Sequence, residues 1–135
     1  MSRNTAEILR DALAHFQILQ GHAEEDLDEQ LVIDAVCMRL SAGIEALAAL
    51  EATTREEIFG GMWPLMWGMR NRIGHGYLLV DAVIIRQTVT LDVPSIISQI
   101  SRRLDTIHPA TISERQDTAA GTTHDDGPPN DAGTS

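Results

Sequence analysis

Residues 70 to 77 read Arg70-Asn71-Arg72-Ile73-Gly74-His75-Gly76-Tyr77. Arginine stays cationic, and its planar fork matches a pair of phosphate oxygens. Histidine takes or gives a proton near neutral pH. Cleaving an RNA phosphodiester needs three things: the 2′-OH must lose its proton, the charge on the phosphorane must be held, and the leaving oxygen must gain a proton. His75 is equipped for either proton transfer, and Arg70 for gripping the non-bridging oxygens. Asn71 can orient a ring nitrogen or the phosphate, Tyr77 can donate to phosphate, and Arg72 adds local support to the arginine cluster. The set needs no metal ligand and no cofactor.

Helix geometry constrains how these groups meet. Asn71 and His75 are four apart and share one face of a continuous helix. Arg70 and His75 are five apart, about 140° around at 3.6 residues per turn. A straight helix keeps them apart, so either the helix bends near Gly74 or a second subunit completes the site. A two-fold dimer repeats one patch on both sides of its interface. It would bring two histidines and two arginines into one cleft, supplying an acid and a base from one histidine per chain.

The same residues also have a structural reading. Arg70 can pair with an acid, and Tyr77 can pack on the bundle. Glu45, in an otherwise apolar part of a long helix, can partner Arg70 or Arg72 or simply be exposed. Trp63 and Trp67, four apart, suit a core or interface better than a base-stacking platform. His15, His22 and His108 lack such company and read as surface or packing residues. Cys37 sits in a helical apolar pattern and reads as a small buried hydrophobe.

The positioning elements follow from periodicity. Ile8, Leu9, Ala12, Leu13, Phe16 and Leu19 predict a helix over 5–20, with Gly21 as a stop. The acidic stretch 24–29 favours the start of the next helix through its dipole and reads as solvated rather than metal-binding. That helix is expected over 27–52, with apolar positions that include Leu31, Val36, Met38, Leu40, Ile44, Leu47 and Leu50. Thr54 with Glu57 fits a capping box opening a short helix that stops at Gly60-Gly61. Pro64 suits the first turn of a further helix running toward His75, where Gly74 and Gly76 weaken it. Asp81 can cap the segment 82–91. That segment is rich in β-branched residues, yet no partner strand exists elsewhere, so it is read as helix. Pro94 opens a last amphipathic helix carrying Ile96, Ile97, Ile100, Leu104 and Ile107, which His108-Pro109 ends. Residues 109–135 hold almost no large apolar side chain. They are expected to be a disordered acidic tail, because burial there cannot offset ordering entropy. His124-Asp125-Asp126 within it reads as solvated. The domain is thus 1–108 and the tail 109–135.

Composition narrows the field. The 135 residues carry a net charge of −10 and no lysine. Residues 1–108 hold 9 arginines against 15 acids, and 109–135 hold 1 against 5. A general nucleic-acid binder would carry a basic field, so any RNA contact must be local to the arginine cluster. An acidic body also suits a basic protein partner. No apolar run approaches the roughly 20 residues needed to span a bilayer. The amphipathic start and the single cysteine fit a cytoplasmic protein with no membrane partner.

The octet resembles the signature of the HEPN superfamily, in its HepT-like branch: Arg, a polar residue, three more residues, His, one residue, Tyr. Arg70, Asn71, His75 and Tyr77 fill all four places. Gly68-Met69 before the arginine and Leu79-Val80-Asp81 after the tyrosine are similar too. Gly43-Ile44-Glu45-Ala46 looks like the branch's Gly-Glu-Ala segment with one extra residue after the glycine. The resemblance covers about residues 4 to 107. It implies an all-α, HEPN-like bundle of about four to five helices, homodimeric, with the motif at the dimer cleft. It implies a metal-independent endoribonuclease, the toxin of a bacterial type VII-like toxin–antitoxin pair. It further implies a minimal nucleotidyltransferase antitoxin as partner, in a homodimer or a larger hetero-oligomer. The antitoxin would spend ATP to place AMP on Tyr77, putting negative charge where substrate phosphate should bind. Two alternatives stand beside it: a non-catalytic nucleotide- or protein-binding module of the same fold, and a purely structural helical dimer. Histidine-driven cleavage should change across about pH 5 to 8, whereas arginine-driven binding should track salt.

Overall fold

The computed structural model describes residues 3–76 and 81–107, and every described element is helical. Tyr77, His108 and the whole 109–135 segment lie outside the described residues. The elements are α1 (Thr5–His22), α2 (Gln30–Leu47), α3 (Ala52–Phe59), α4 (Met62–Gly76), α5 (Ala82–Gln87), a π turn (Thr88–Asp92) and α6 (Val93–Ile107). Residues 1–104 form one compact unit.

α1 begins where Asn4 accepts a hydrogen bond from the Glu7 amide at 2.8 Å, satisfying one of the amides a helix start leaves open. Its Leu9, Ala12, Phe16 and Leu19 are fully buried and pack along α2. At the crossing Gly43 meets Phe16: a Cβ there would lie 2.7 Å from the tip of the ring. The helix pair sits this close because residue 43 has no side chain.

α2 is shorter than periodicity predicts at both ends. It starts at Gln30 rather than 27, because the acidic stretch folds into turns. Asp26 Oδ1 takes the Asp28 amide at 2.9 Å, a local bond that competes with helix. It ends at Leu47 rather than 52, where Ala48, Ala49 and Leu50 donate back to Ile44, Ala46 and Leu47. The expected capping box is not formed. Glu51 is the N-cap of α3 and Thr54 lies within the helix. Arg55 explains the early start: it donates to the Ala48 and Leu50 carbonyls at 3.2 and 2.8 Å, fastening α3 to the end of α2. Glu57 pairs with Arg103 at 2.8 Å instead of turning back to Thr54. Leu31 and Met38 do not join the core stripe; they are 78% and 70% exposed on the outer face of α2.

The segment 82–91 is helical, as read. Asp81 caps it by accepting from the Val83 amide at 2.8 Å. The helix then widens, with the Val93 amide reaching Thr88 O five residues back. Pro94 supplies the reason. A proline ring inside a helix removes one amide and clashes with the carbonyl four residues earlier, here that of Thr90. A π turn relocates that carbonyl and lets the helix continue. Beyond it, Val93, Ile96 and Ile100 enter the same core as Leu40, Ile44 and Leu47.

Candidate functional site: an arginine held on a stack of two tryptophans

α4 carries the octet. Pro64 lies in its first turn, and the helix runs unbroken from Met62 through Gly74 and His75 to Gly76. Gly76 takes φ +151°, a backbone that favours glycine, and this is where α4 ends. The bend near Gly74 that would bring Arg70 and His75 together is therefore not made. The two project about 140° apart on the helix, and His75 is exposed.

Arg70 is tied in three ways. Its Nε forms an ion pair with Glu45 Oε2 on α2 at 2.6 Å. Its Nη1 donates to Asn71 Oδ1 at 3.1 Å. Its guanidinium lies over the Trp67 ring, 4.8 Å from the centroid. Trp67 stacks on Trp63 at 5.6 Å with the planes 27° apart. Arg55, already fastened to the end of α2, lies over the Trp63 ring at 4.7 Å. The result is a column in the order Arg55, Trp63, Trp67, Arg70. The two indoles belong to the core edge, as their spacing suggests, but each also lies against a cation. Glu45 resolves as the partner of Arg70, with a half-exposed side chain.

Beside Arg70 opens a pocket of about 400 Å³, walled by Cys37, Met38, Ala42 and Ile73 with Asp34, Ser41 and Glu45 as its polar groups. Cys37 is buried as read. Burial pushes its thiol up to about 11, with the Asp34 charge adding to the effect, so it stays a neutral thiol rather than a nucleophile. Arg72 projects elsewhere. It lines a second cavity, about 510 Å³, with Met66, Met69, Gln87, Thr88 and Asp92 beside the π turn. Arg70 and Arg72 therefore do not form one cation cluster within a chain. His15, read as a surface or packing residue, accepts at Nδ1 from Arg39 at 3.1 Å. No group of three or more His, Cys, Asp and Glu side chains converges on a common point among the described residues.

Sequence reasoning missed Trp67 as a partner of Arg70. The signal was present: positions 63, 67 and 70 recur at i, i+4 and i+7, one stripe of a helix.

An all-helical bundle with arginine, asparagine and histidine on its fourth helix, and an arginine opening on a pocket, is the class the geometry defines. The chain belongs to the HepT-like ribonuclease family of the HEPN superfamily: the family model described as Ribonuclease HepT-like matches residues 8–103. No curated protein and no solved structure matches the chain. No described helix is long and apolar enough to cross a membrane.

Proposed function

We propose that the chain is a metal-independent endoribonuclease that acts as a homodimer. In this reading Arg70 holds the scissile phosphate and His75 transfers the protons. The observation that carries it is the state of the Arg70 guanidinium. Its Nε pairs with Glu45 and its Nη1 donates to Asn71; among the described residues the Nη2 edge has no hydrogen-bond partner, and Arg70 lines the pocket. That edge is the fork that grips two phosphate oxygens.

The reaction uses the substrate's own nucleophile. The 2′-oxygen loses its proton to a histidine and bonds to phosphorus, while the 5′-oxygen leaves with a proton from a second histidine. A 2′,3′-cyclic phosphate and a 5′-hydroxyl result. One chain offers one exposed His75, and a two-fold partner supplies the other. Asn71 acts by bracing Arg70, and Arg72 supports RNA contact from a separate face of α4. The family membership further supports a role as toxin beside a minimal nucleotidyltransferase antitoxin, which would form a bond from the Tyr77 oxygen to the α-phosphorus of ATP and release pyrophosphate. The acidic charge of the chain fits this reading, since only one stretch of RNA need be held.

The test is cleavage of single-stranded RNA in excess EDTA by wild type, Arg70→Ala and His75→Ala. Each substitution should lower the rate at least ~100-fold, with helical circular dichroism unchanged. Retained wild-type rates in either variant would remove the catalytic assignment, and RNA binding without cleavage by the wild type would favour the non-catalytic module. Intact mass after co-expression with the nucleotidyltransferase should rise by whole AMP units in wild type and stay unchanged in Tyr77→Phe. Equal masses for the two would refute the modification.

A further inference from the structure

An arginine that must meet a phosphate in one geometry starts with a handicap, since its side chain has many rotamers and its guanidinium can rotate about the last bond. An ion pair and one hydrogen bond do not by themselves stop the guanidinium plane from tilting. Arg70 has two polar contacts, an ion pair from Nε to Glu45 and a hydrogen bond from Nη1 to Asn71. It also has a flat surface beneath it, the Trp67 ring at 4.8 Å. Trp67 in turn rests on Trp63, and Trp63 on Arg55, whose guanidinium is bound to two backbone carbonyls at the α2–α3 turn. The series of contacts therefore runs from a backbone anchor to Arg70.

We propose that Trp67 is the positioning residue of this site: its indole face fixes the plane of the Arg70 guanidinium, so that the free Nη edge is presented to phosphate in one orientation. Glu45 fixes the direction within that plane. This assigns a purpose to a carboxylate placed next to an anion-binding arginine. By occupying Nε, Glu45 leaves the Nη fork as the edge for an incoming anion. Asn71 serves the same end from within α4. The inference rests on Arg70 being the phosphate-binding residue, and the experiment below separates its failure from the failure of that reading.

The first readout needs no activity. In a ¹H–¹⁵N spectrum of the full chain, the Arg70 Nε–H, identified by its loss in Arg70→Ala, should be shifted by the indole ring current and protected from exchange. Trp67→Ala should move it to the position of a free arginine side chain, and Trp67→Phe should keep it shifted and protected. An unchanged Arg70 signal in Trp67→Ala overturns the proposal. The second readout is single-turnover cleavage. Misplacing a reacting group by about 1 Å costs on the order of 100-fold in rate. Trp67→Ala should therefore lower the cleavage rate ~10- to 100-fold at saturating RNA, Trp67→Phe should restore it to within about 3-fold, and the pH profile should keep its shape because His75 is untouched. Equal losses in Trp67→Ala and Trp67→Phe, with a lowered melting temperature in both, would show a packing role and overturn the proposal. If the wild type cleaves no RNA, the ribonuclease reading fails, and the Arg70 signal still decides whether Trp67 holds the guanidinium.

Discussion

At Arg70 and at His15 the same physics gives opposite results. Arg70 keeps its charge and is braced by a carboxylate, an amide oxygen and a ring face. His15 accepts a hydrogen bond from Arg39, a group that can only donate, so Nδ1 must carry the lone pair and the ring is neutral. Burial first, and the Arg39 charge second, push its pKa below the usual histidine value of 6.5. The sign follows from linkage. Below about pH 6.5 the unfolded chain binds a proton at this position that the folded chain refuses, so the contribution of His15 is fully present above that pH and is lost as pH falls toward the folded value. Melting temperature should therefore drop as pH falls below about 6.5. His15→Asn, whose Oδ1 can accept from Arg39 without titrating, should flatten that part of the curve. An identical slope in the variant would exclude His15 as its source.

At the scale of the element, close approach and capping matter more than propensity. Gly43 lets α1 and α2 touch through Phe16, and a methyl group there meets ring carbons at 2.7 to 3.0 Å. The aromatic ring is fully buried. Gly43→Ala gains helix propensity worth up to ~1 kcal/mol but overpacks the crossing, a cost of about 1 to 3 kcal/mol. The net expectation is a loss of stability, read as a lowered urea midpoint. A raised midpoint would show that α1 can slide away from α2. The π turn at Thr88–Asp92 is an element-scale compromise of the same kind, in which a proline is accommodated without breaking the helix.

For the whole molecule, the exposed Leu31 and Met38 lie seven apart on α2, one stripe of the helix, and Met38 also walls the pocket beside Arg70. Burying such a stripe against a second copy would remove two large apolar side chains from water, each worth roughly 1.5 to 3 kcal/mol, and would set two octets near one cleft. Sedimentation velocity should give twice the chain mass for wild type. The double substitution Leu31→Glu, Met38→Glu should give the single chain mass and lose cleavage. A monomeric wild type, or a double variant that remains dimeric and active, would exclude this face as the interface.

Much of this was legible in the chain itself. Periodicity located the core of α1 and the burial of Cys37, and residue type at helix starts pointed to Pro64 in α4 and the Asp81 cap, because each depends on neighbours within about a turn of helix. The helical nature of 82–91 followed from the lack of any partner strand elsewhere in the chain. The octet also named its chemistry, since residue types alone define what an arginine and a histidine can do. The tertiary structure decided the rest. It replaced the Thr54 capping box with a start at Glu51, because Arg55 found two carbonyls seven and five residues away. It turned Leu31 and Met38 outward, separated Arg72 from Arg70, and joined Glu45 and Trp67 to Arg70. Residue type and spacing fix which groups can act and which share a helical face. Which arginine is paired, stacked and left with an open edge depends on where a second helix passes, and that is set by packing between segments distant in sequence.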